Sequence, residues 1–212
     1  VSSAASDVYK RQSTAMGYYT TASGNVSTAM GNNTTARGDY STSMGRNTIA
    51  SGDYSTAMGR NTIASGYAST AMGYGTTAEY ASTAMGYGTT ASGYASTAMG
   101  AYTKASGYEA TVMGVGTTAS DFGSTVIGQY NLLGSTVTNS ATAFNSTNTA
   151  FVIGNGNGGT RSDALTVLFD GTTTIAGNLS INSDARLKAN IISLGSTLAK
   201  LLQIDGKTYT MK

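Results

Sequence analysis

The sequence predicts an all-β solenoid built from 14-residue coils, and three observations carry that prediction. A Ser-Thr-Ala-Met-Gly phrase recurs along residues 13–128, with Met16, Met30, Met44, Met58 and Met72 fourteen apart, Met85 thirteen after Met72, and Met99, Met113 and Ile127 resuming the fourteen. Each unit divides into two sevens, S-T-A-M-G-x-x and T-T-A-S-G-x-x. A period of seven first suggests a coiled coil, but a Gly in every seven, with Thr close by, would cost a helix roughly 1 kcal/mol per Gly. Short strands closed by Gly corners fit instead, two strands and two corners per coil, with coils stacked ~4.8 Å apart.

Composition agrees. The 212 residues include 28 Gly and no Pro, Cys, His or Trp, so catalytic cysteines, disulfides, histidine bases and His/Cys metal sites are all excluded. With 10 % charged residues and a net charge of +2, the chain lacks the clustered Lys and Arg of a nucleic-acid groove. No cofactor is implied. No apolar run reaches the ~18 residues of a membrane span, and no secretory signal is visible. The first twelve residues, VSSAASDVYKRQ, break the repeat register at Val8 and Lys10. They resemble a translated sequencing scar and are set apart from the fold.

Strand alternation assigns the faces. Ser13, Ala15 and Gly17 point one way and Thr14 and Met16 the other; in the second half Thr20, Ala22 and Gly24 oppose Thr21 and Ser23. Ala recurs in both halves, at Ala15, Ala22, Ala29, Ala36, Ala50, Ala57, Ala64 and Ala71, so the Ala faces should meet across a thin roll. Inward Ser and Thr hydroxyls then need backbone partners at the corners. The outer faces differ: one shows Thr and Ser, with Arg37 and Lys104, and the other a ladder of eight Met and one Ile. At ~1.5–3 kcal/mol per buried side chain, leaving nine rungs wet would forgo on the order of 15–25 kcal/mol. Identical copies around an axis parallel to the solenoid would cover Met16, Met30, Met44, Met58, Met72, Met85, Met99, Met113 and Ile127 at once. The alternative is that Met packs inside a monomer, where Ala already occupies the inside positions.

The S-x-A-[IM]-G-x-x-[ST]-x-A-x-G repeat of residues 13–128 resembles the head repeats of trimeric autotransporter adhesins. That resemblance implies a left-handed parallel β-roll that assembles as a homotrimer. Met replaces the family's usual Ile, and Glu79 stands where Ser-Gly is expected, which shortens one coil by a residue.

The corners vary. Tyr40, Tyr54, Tyr67, Tyr74, Tyr80, Tyr87, Tyr94 and Tyr108 recur at equivalent or neighbouring corner positions, with Arg46 and Arg60 one coil apart. Of these, Tyr40, Tyr54, Tyr67, Tyr94 and Tyr108 are candidate contacts for a protein or glycan receptor, since each offers a flat apolar face with a hydroxyl. Stacking of neighbouring rungs on one another explains the same rows without a ligand. The Thr-rich face also raises an ice- or ligand-binding reading, against which Ile49, Ile63, Arg37 and Lys104 interrupt the Thr and Ser.

Residues 129–182 read as a β neck with short strands. Asp170-Gly171 between alternating segments signals a hairpin, and GNGNGG, lacking both the Asp residues of a calcium repeat and the Lys of a phosphate loop, reads as a turn. In residues 183–212, Ile191, Leu194, Leu198 and Leu201 have the spacing of a short C-terminal helix able to pair in a trimer. Ser183 or Asp184 would serve as its cap. S-D-x-R-L-K before an apolar helix also resembles the start of the endosialidase-type intramolecular chaperone of phage tail spikes and tail fibres, although Ala185 and Ala189 depart from its acidic residues. The resemblance implies self-cleavage at the Ser183–Asp184 bond, with Ser183 as nucleophile and Lys188 as base. In a chain without His, a desolvated Lys is the one strong base near that hydroxyl. Together these features point to a fibrous, trimeric, extracellular attachment protein, a bacterial surface adhesin or a virion tail fibre. Its only chemistry would be a single self-cutting event.

Overall fold

The computed structural model describes residues 12–133 and 140–179. Each Met phrase forms a five-residue strand, from Thr14–Tyr18 to Thr125–Gln129, and each T-A, I-A or K-A of the other half forms a two-residue strand, from Thr21–Ala22 to Thr118–Ala119. Long strands pair in parallel one coil on, Thr28 with Thr42, Met30 with Met44 and Gly31 with Gly45. Short strands do the same, Ile49 with Ile63 and Ala50 with Ala64. The result is a β-roll of one twelve-stranded and one eight-stranded sheet. No helix occurs among the described residues. The helix expected around Ile191, Leu194, Leu198 and Leu201 lies outside them.

The repeated Gly is dictated by close approach. Gly31 has φ +127°, and a Cβ there would sit 2.0 Å from the carbonyl oxygen of Gly45, a collision that no side chain could relieve. Between the sheets, Ala29, Ala57 and Ala71 of the long strands and Ala36, Ala50 and Ala64 of the short ones are fully buried. Toward the C-terminal coils the core widens to Val112, Val126 and Val152.

The inward hydroxyls divide into two groups. Ser27 Oγ donates to the Gly24 carbonyl at 2.6 Å and Ser124 Oγ to that of Asp121 at 2.8 Å, as expected for corner serines. The expectation fails for Thr34, Thr62, Thr76, Thr89 and Thr103, and for Ser41 and Ser55, whose buried hydroxyls have no hydrogen-bond partner. For the Thr residues the physical reason is the facing row; nothing in the structure separates Ser41 and Ser55 from Ser27. An Ala methyl can pack against the Thr methyl but offers the hydroxyl nothing, whereas Ser43, the one Ser in the early Ala row, lies 2.7 Å from Thr48 Oγ1.

Two irregularities are absorbed locally. At the 13-residue coil, Tyr80 and Ala81 are both left-handed, with φ of 45° and 59°, and the strand register recovers so that Met72 pairs with Met85. The sheet also continues past the last Met phrase. Thr149–Asn155 pairs in parallel with Thr125–Gln129, matching Val126 with Val152, Ile127 with Ile153 and Gly128 with Gly154. Then Asp163–Leu168 and Thr173–Ile175 add antiparallel strands. The first two residues of GNGNGG, Gly154 and Asn155, end the strand Thr149–Asn155, and residues 156–159 turn toward Asp163–Leu168, with Gly159 N donating to Asn157 Oδ1 at 2.9 Å. The Asp170-Gly171 hairpin is present; Thr172 N donates to Asp170 Oδ1 at 2.8 Å, which holds the Asp170 carboxyl below its ordinary range.

The eight-stranded sheet ends on a side chain. Asn131 Oδ1 accepts the Thr118 N–H at 2.8 Å and its Nδ2 donates to the Thr118 carbonyl at 3.0 Å. One amide thereby imitates the next strand and closes an edge that would otherwise be open to pairing. Arg161 braces it, donating to the carbonyls of Gly116 and Asn131.

Candidate functional site

In the long strands the Ala position faces the core and Thr and Met face out, but the Gly expected on the Ala face is exposed at Gly31, Gly45 and Gly59, where φ is 127°, 124° and 122° and strand alternation breaks. Met30, Met44, Met58, Met72, Met85, Met99 and Ile127 are half-buried by their own neighbours, while Met16 on the end rung is 58 % exposed and Met113 38 %. Stacking along the ladder has therefore already covered part of the stripe, and the burial left for a partner is a fraction of the sum read from sequence. Ile153 extends the ladder by one rung. The sequence signal for it was T-A-F-V-I-G, a copy of T-V-I-G displaced by a 19-residue excursion between strands that hides the period.

Each coil has two corners at opposite edges of the sheet. The first follows the long strand and carries, one residue per coil, Tyr18, Asn32, Arg46, Arg60, Tyr74, Tyr87, Ala101 and Val115. The second follows the short strand and carries Asn25, Asp39, Asp53, Tyr67, Tyr80, Tyr94, Tyr108 and Phe122. The tyrosines that the sequence groups together thus separate into two rows. Tyr74 and Tyr87 stack at 4.9 Å and 6° on the first edge, with the Arg60 guanidinium 5.3 Å from the Tyr74 ring. Tyr102 packs edge-on against Tyr87 and its hydroxyl is pushed up by their hydrogen bond.

On the second edge, Tyr40 and Tyr54 stack at 5.0 Å, Tyr54 meets Tyr67, and Tyr94 meets Tyr108 at 5.9 Å. All five candidate receptor contacts rest on another ring, yet they keep 53, 53, 65, 53 and 41 % exposure in chain order. Between Tyr67 and Tyr94 a groove of about 240 Å³ opens, lined by Tyr67, Ala68, Tyr80, Ala81 and Tyr94. Polar ladders hold the corners at the N-terminal coils: Asn33 to Asn47 to Asn61 at 3.0 Å each, and Asn25 Nδ2 to Asp39 Oδ2 at 2.8 Å. The outer short-strand row aligns Thr35, Ile49, Ile63, Thr77, Thr90, Lys104 and Thr118, a mixture that lacks the uniform Thr spacing of an ice-ordering face.

These coils, with Gly at each long-strand end and one outward apolar residue per rung, are the structural unit of a known surface-protein repeat. The YadA head domain repeat matches residues 10–34, 22–48, 36–62, 64–79, 80–103 and 105–131, more than half of the chain. The chain belongs to the YadA head-repeat family. The chaperone of endosialidase matches residues 183–212, so the YadA-type head is followed by an endosialidase-chaperone segment. A comparison with curated proteins finds no match. The chaperone residues Ser183, Asp184 and Lys188 lie outside the described residues. Among those described, no cluster of three or more acidic residues is placed to hold a metal ion.

Proposed function

We propose that the chain is a homotrimeric attachment protein, exposed outside the cell on a bacterial surface or on a phage tail fibre. The observation that carries this reading is the continuous Met and Ile stripe on one sheet of a YadA-type head. A single narrow apolar row running the whole length of the roll is matched by copies of itself around an axis parallel to the stacking direction, because every rung then meets an equivalent rung. The short-strand sheet faces outward. Attachment is multivalent, with contacts that are weak singly and strong together, and the exposed corner tyrosines meet the target.

The C-terminal segment assists trimer assembly. Ser183 is the proposed nucleophile and Lys188 its base, and the cut consumes one water to leave a carboxylate on Ser183 and an amine on Asp184. In a chain extended by a complete endosialidase-type chaperone, intact mass shows the shaft ending at Ser183, and Ser183→Ala stays whole yet trimeric. A Ser183→Ala chain still cut at this bond would return Ser183 to the role of helix cap.

The attachment reading is tested with Tyr40→Asn/Tyr54→Asn, since Asn tolerates the left-handed backbone of both positions, φ 56° and 59°. Binding to cells or a glycan array falls several-fold while sedimentation is unchanged. If the wild-type trimer binds no surface, the chain is a spacer.

A further inference from the structure

Over the coils from Asn32 to Tyr87 the two corner rows change composition together, although a long strand separates them; beyond Tyr87 the match ends, with Ala101 and Val115 level with Tyr94, Tyr108 and Phe122. Read between neighbouring second-corner residues, the first corner places Asn32 between Asn25 and Asp39, Arg46 between Asp39 and Asp53, Arg60 between Asp53 and Tyr67, Tyr74 between Tyr67 and Tyr80, and Tyr87 between Tyr80 and Tyr94. Amide lies level with amide, guanidinium with carboxylate, and ring with ring. Within one chain the match does nothing, because a five-residue strand at ~3.3 Å per residue holds the edges well beyond side-chain contact. Arg46 and Arg60 stack as like charges a coil apart, while the Asp39 and Asp53 carboxylates accept the Asn25 and Asp39 backbone N–H groups and keep their charge at the corner.

We infer that the two corners are the halves of a seam between copies of this chain, so that the first corner of one protomer docks on the second corner of the next. This rests on the trimer reading above and adds which edges meet and at which height. In a closed ring about an axis parallel to the stacking direction, strands run across the axis. Rotation brings the strand-end edge of each protomer to the strand-start edge of its neighbour without shifting its height. Arg46 of one chain then lies level with the acidic coils of the next, and Tyr87 lies level with the groove lined by Tyr67, Tyr80 and Tyr94. That groove is smaller than the roughly 300–1,000 Å³ of a drug-sized site and suits one ring. The matched charges fix the axial register, which the uniform Met ladder by itself would leave free to slip by a coil. Tyr67, Tyr94 and Tyr108, all in the second-corner row, thereby pass to the seam, and Tyr40 and Tyr54 remain for the target.

The test uses the absence of Cys from the chain. In the full chain, Arg46→Cys/Asp53→Cys is treated with a short bis-maleimide and run on a denaturing gel, beside each single variant. The seam gives covalent trimer from the double variant and monomer from both singles. Crosslinking by a single variant means that like corners meet, and absence of crosslinks in a double variant that sediments as a trimer means that other edges meet; either overturns the seam. A wild-type chain that sediments as a monomer overturns the trimer reading itself. Should the double variant misfold, Arg46→Glu/Arg60→Glu replaces it, at exposed positions. Its trimer dissociates at least tenfold more readily than wild type and Arg46→Gln/Arg60→Gln less so, whereas equal stability of all three contradicts the seam.

Discussion

Ser43 Oγ and Thr48 Oγ1 lie 2.7 Å apart inside the roll, whereas the hydroxyls of Thr34, Thr62, Thr76, Thr89 and Thr103, which face Ala, have no partner. The pair shows what the core lacks elsewhere. Ser43→Ala should orphan Thr48 and cost about 1 kcal/mol. Ala57→Ser should offer Thr62 the same partner and be neutral or slightly stabilising. Chemical denaturation of the two variants checks both signs, and an Ala57→Ser chain less stable than wild type would show that the core has no room for the extra oxygen.

Asn131 caps the short-strand sheet through two hydrogen bonds to Thr118. Asn131→Ala leaves a half-buried N–H and C=O without that partner, at a cost of about 1 kcal/mol. The loss should be local. Hydrogen exchange should quicken at Thr118 and its neighbours while the coils near Met44 keep their protection; uniform quickening would show that the edge cap stabilises the whole roll.

Tyr67 and Tyr94 distinguish an interface from a receptor surface. Tyr67→Ala/Tyr94→Ala should weaken the trimer severalfold in sedimentation, because both line the groove assigned to a neighbouring ring. Loss of target binding with an unchanged trimer would put these rings on the receptor side.

At Asp170 the carboxylate accepts the Thr172 amide, so its folded pKa lies below the unfolded value near 3.9. A depressed acid contributes its stabilisation above the unfolded pKa and loses it as pH falls through the folded one. The Thr172 amide resonance should therefore titrate at a lower pH than that of an Asp in an unfolded chain. Asp170→Asn should abolish that titration.

Most of the roll was legible because its period is strict. Gly at the end of every Met phrase and Ala in both halves specify strand, corner and inward face together, and Met30 paired with Met44 follows directly. What escaped lacked that repetition. Ile153 joins the ladder after an excursion of irregular length, so no spacing announced it, and Asn131 acts through a side chain that imitates a strand. The orphan Thr hydroxyls escaped for another reason: whether Thr finds a partner depends on the residue across the core, which a single strand does not reveal. At the corners, Tyr74 and Tyr67 look equivalent by spacing of seven, yet alternate sevens belong to opposite edges.

The central claim is that the Met stripe joins three copies, and sedimentation of the full 21.4 kDa chain tests it most directly when wild type is compared with two variants. The wild type should sediment at three times the chain mass. Met44→Ser/Met58→Ser/Met72→Ser/Met85→Ser should fall to monomer at concentrations where Ser23→Ala/Ser51→Ala/Ser65→Ala, on the opposite sheet, remains trimeric. A monomeric wild type, or equal sensitivity of the two variants, would contradict the account.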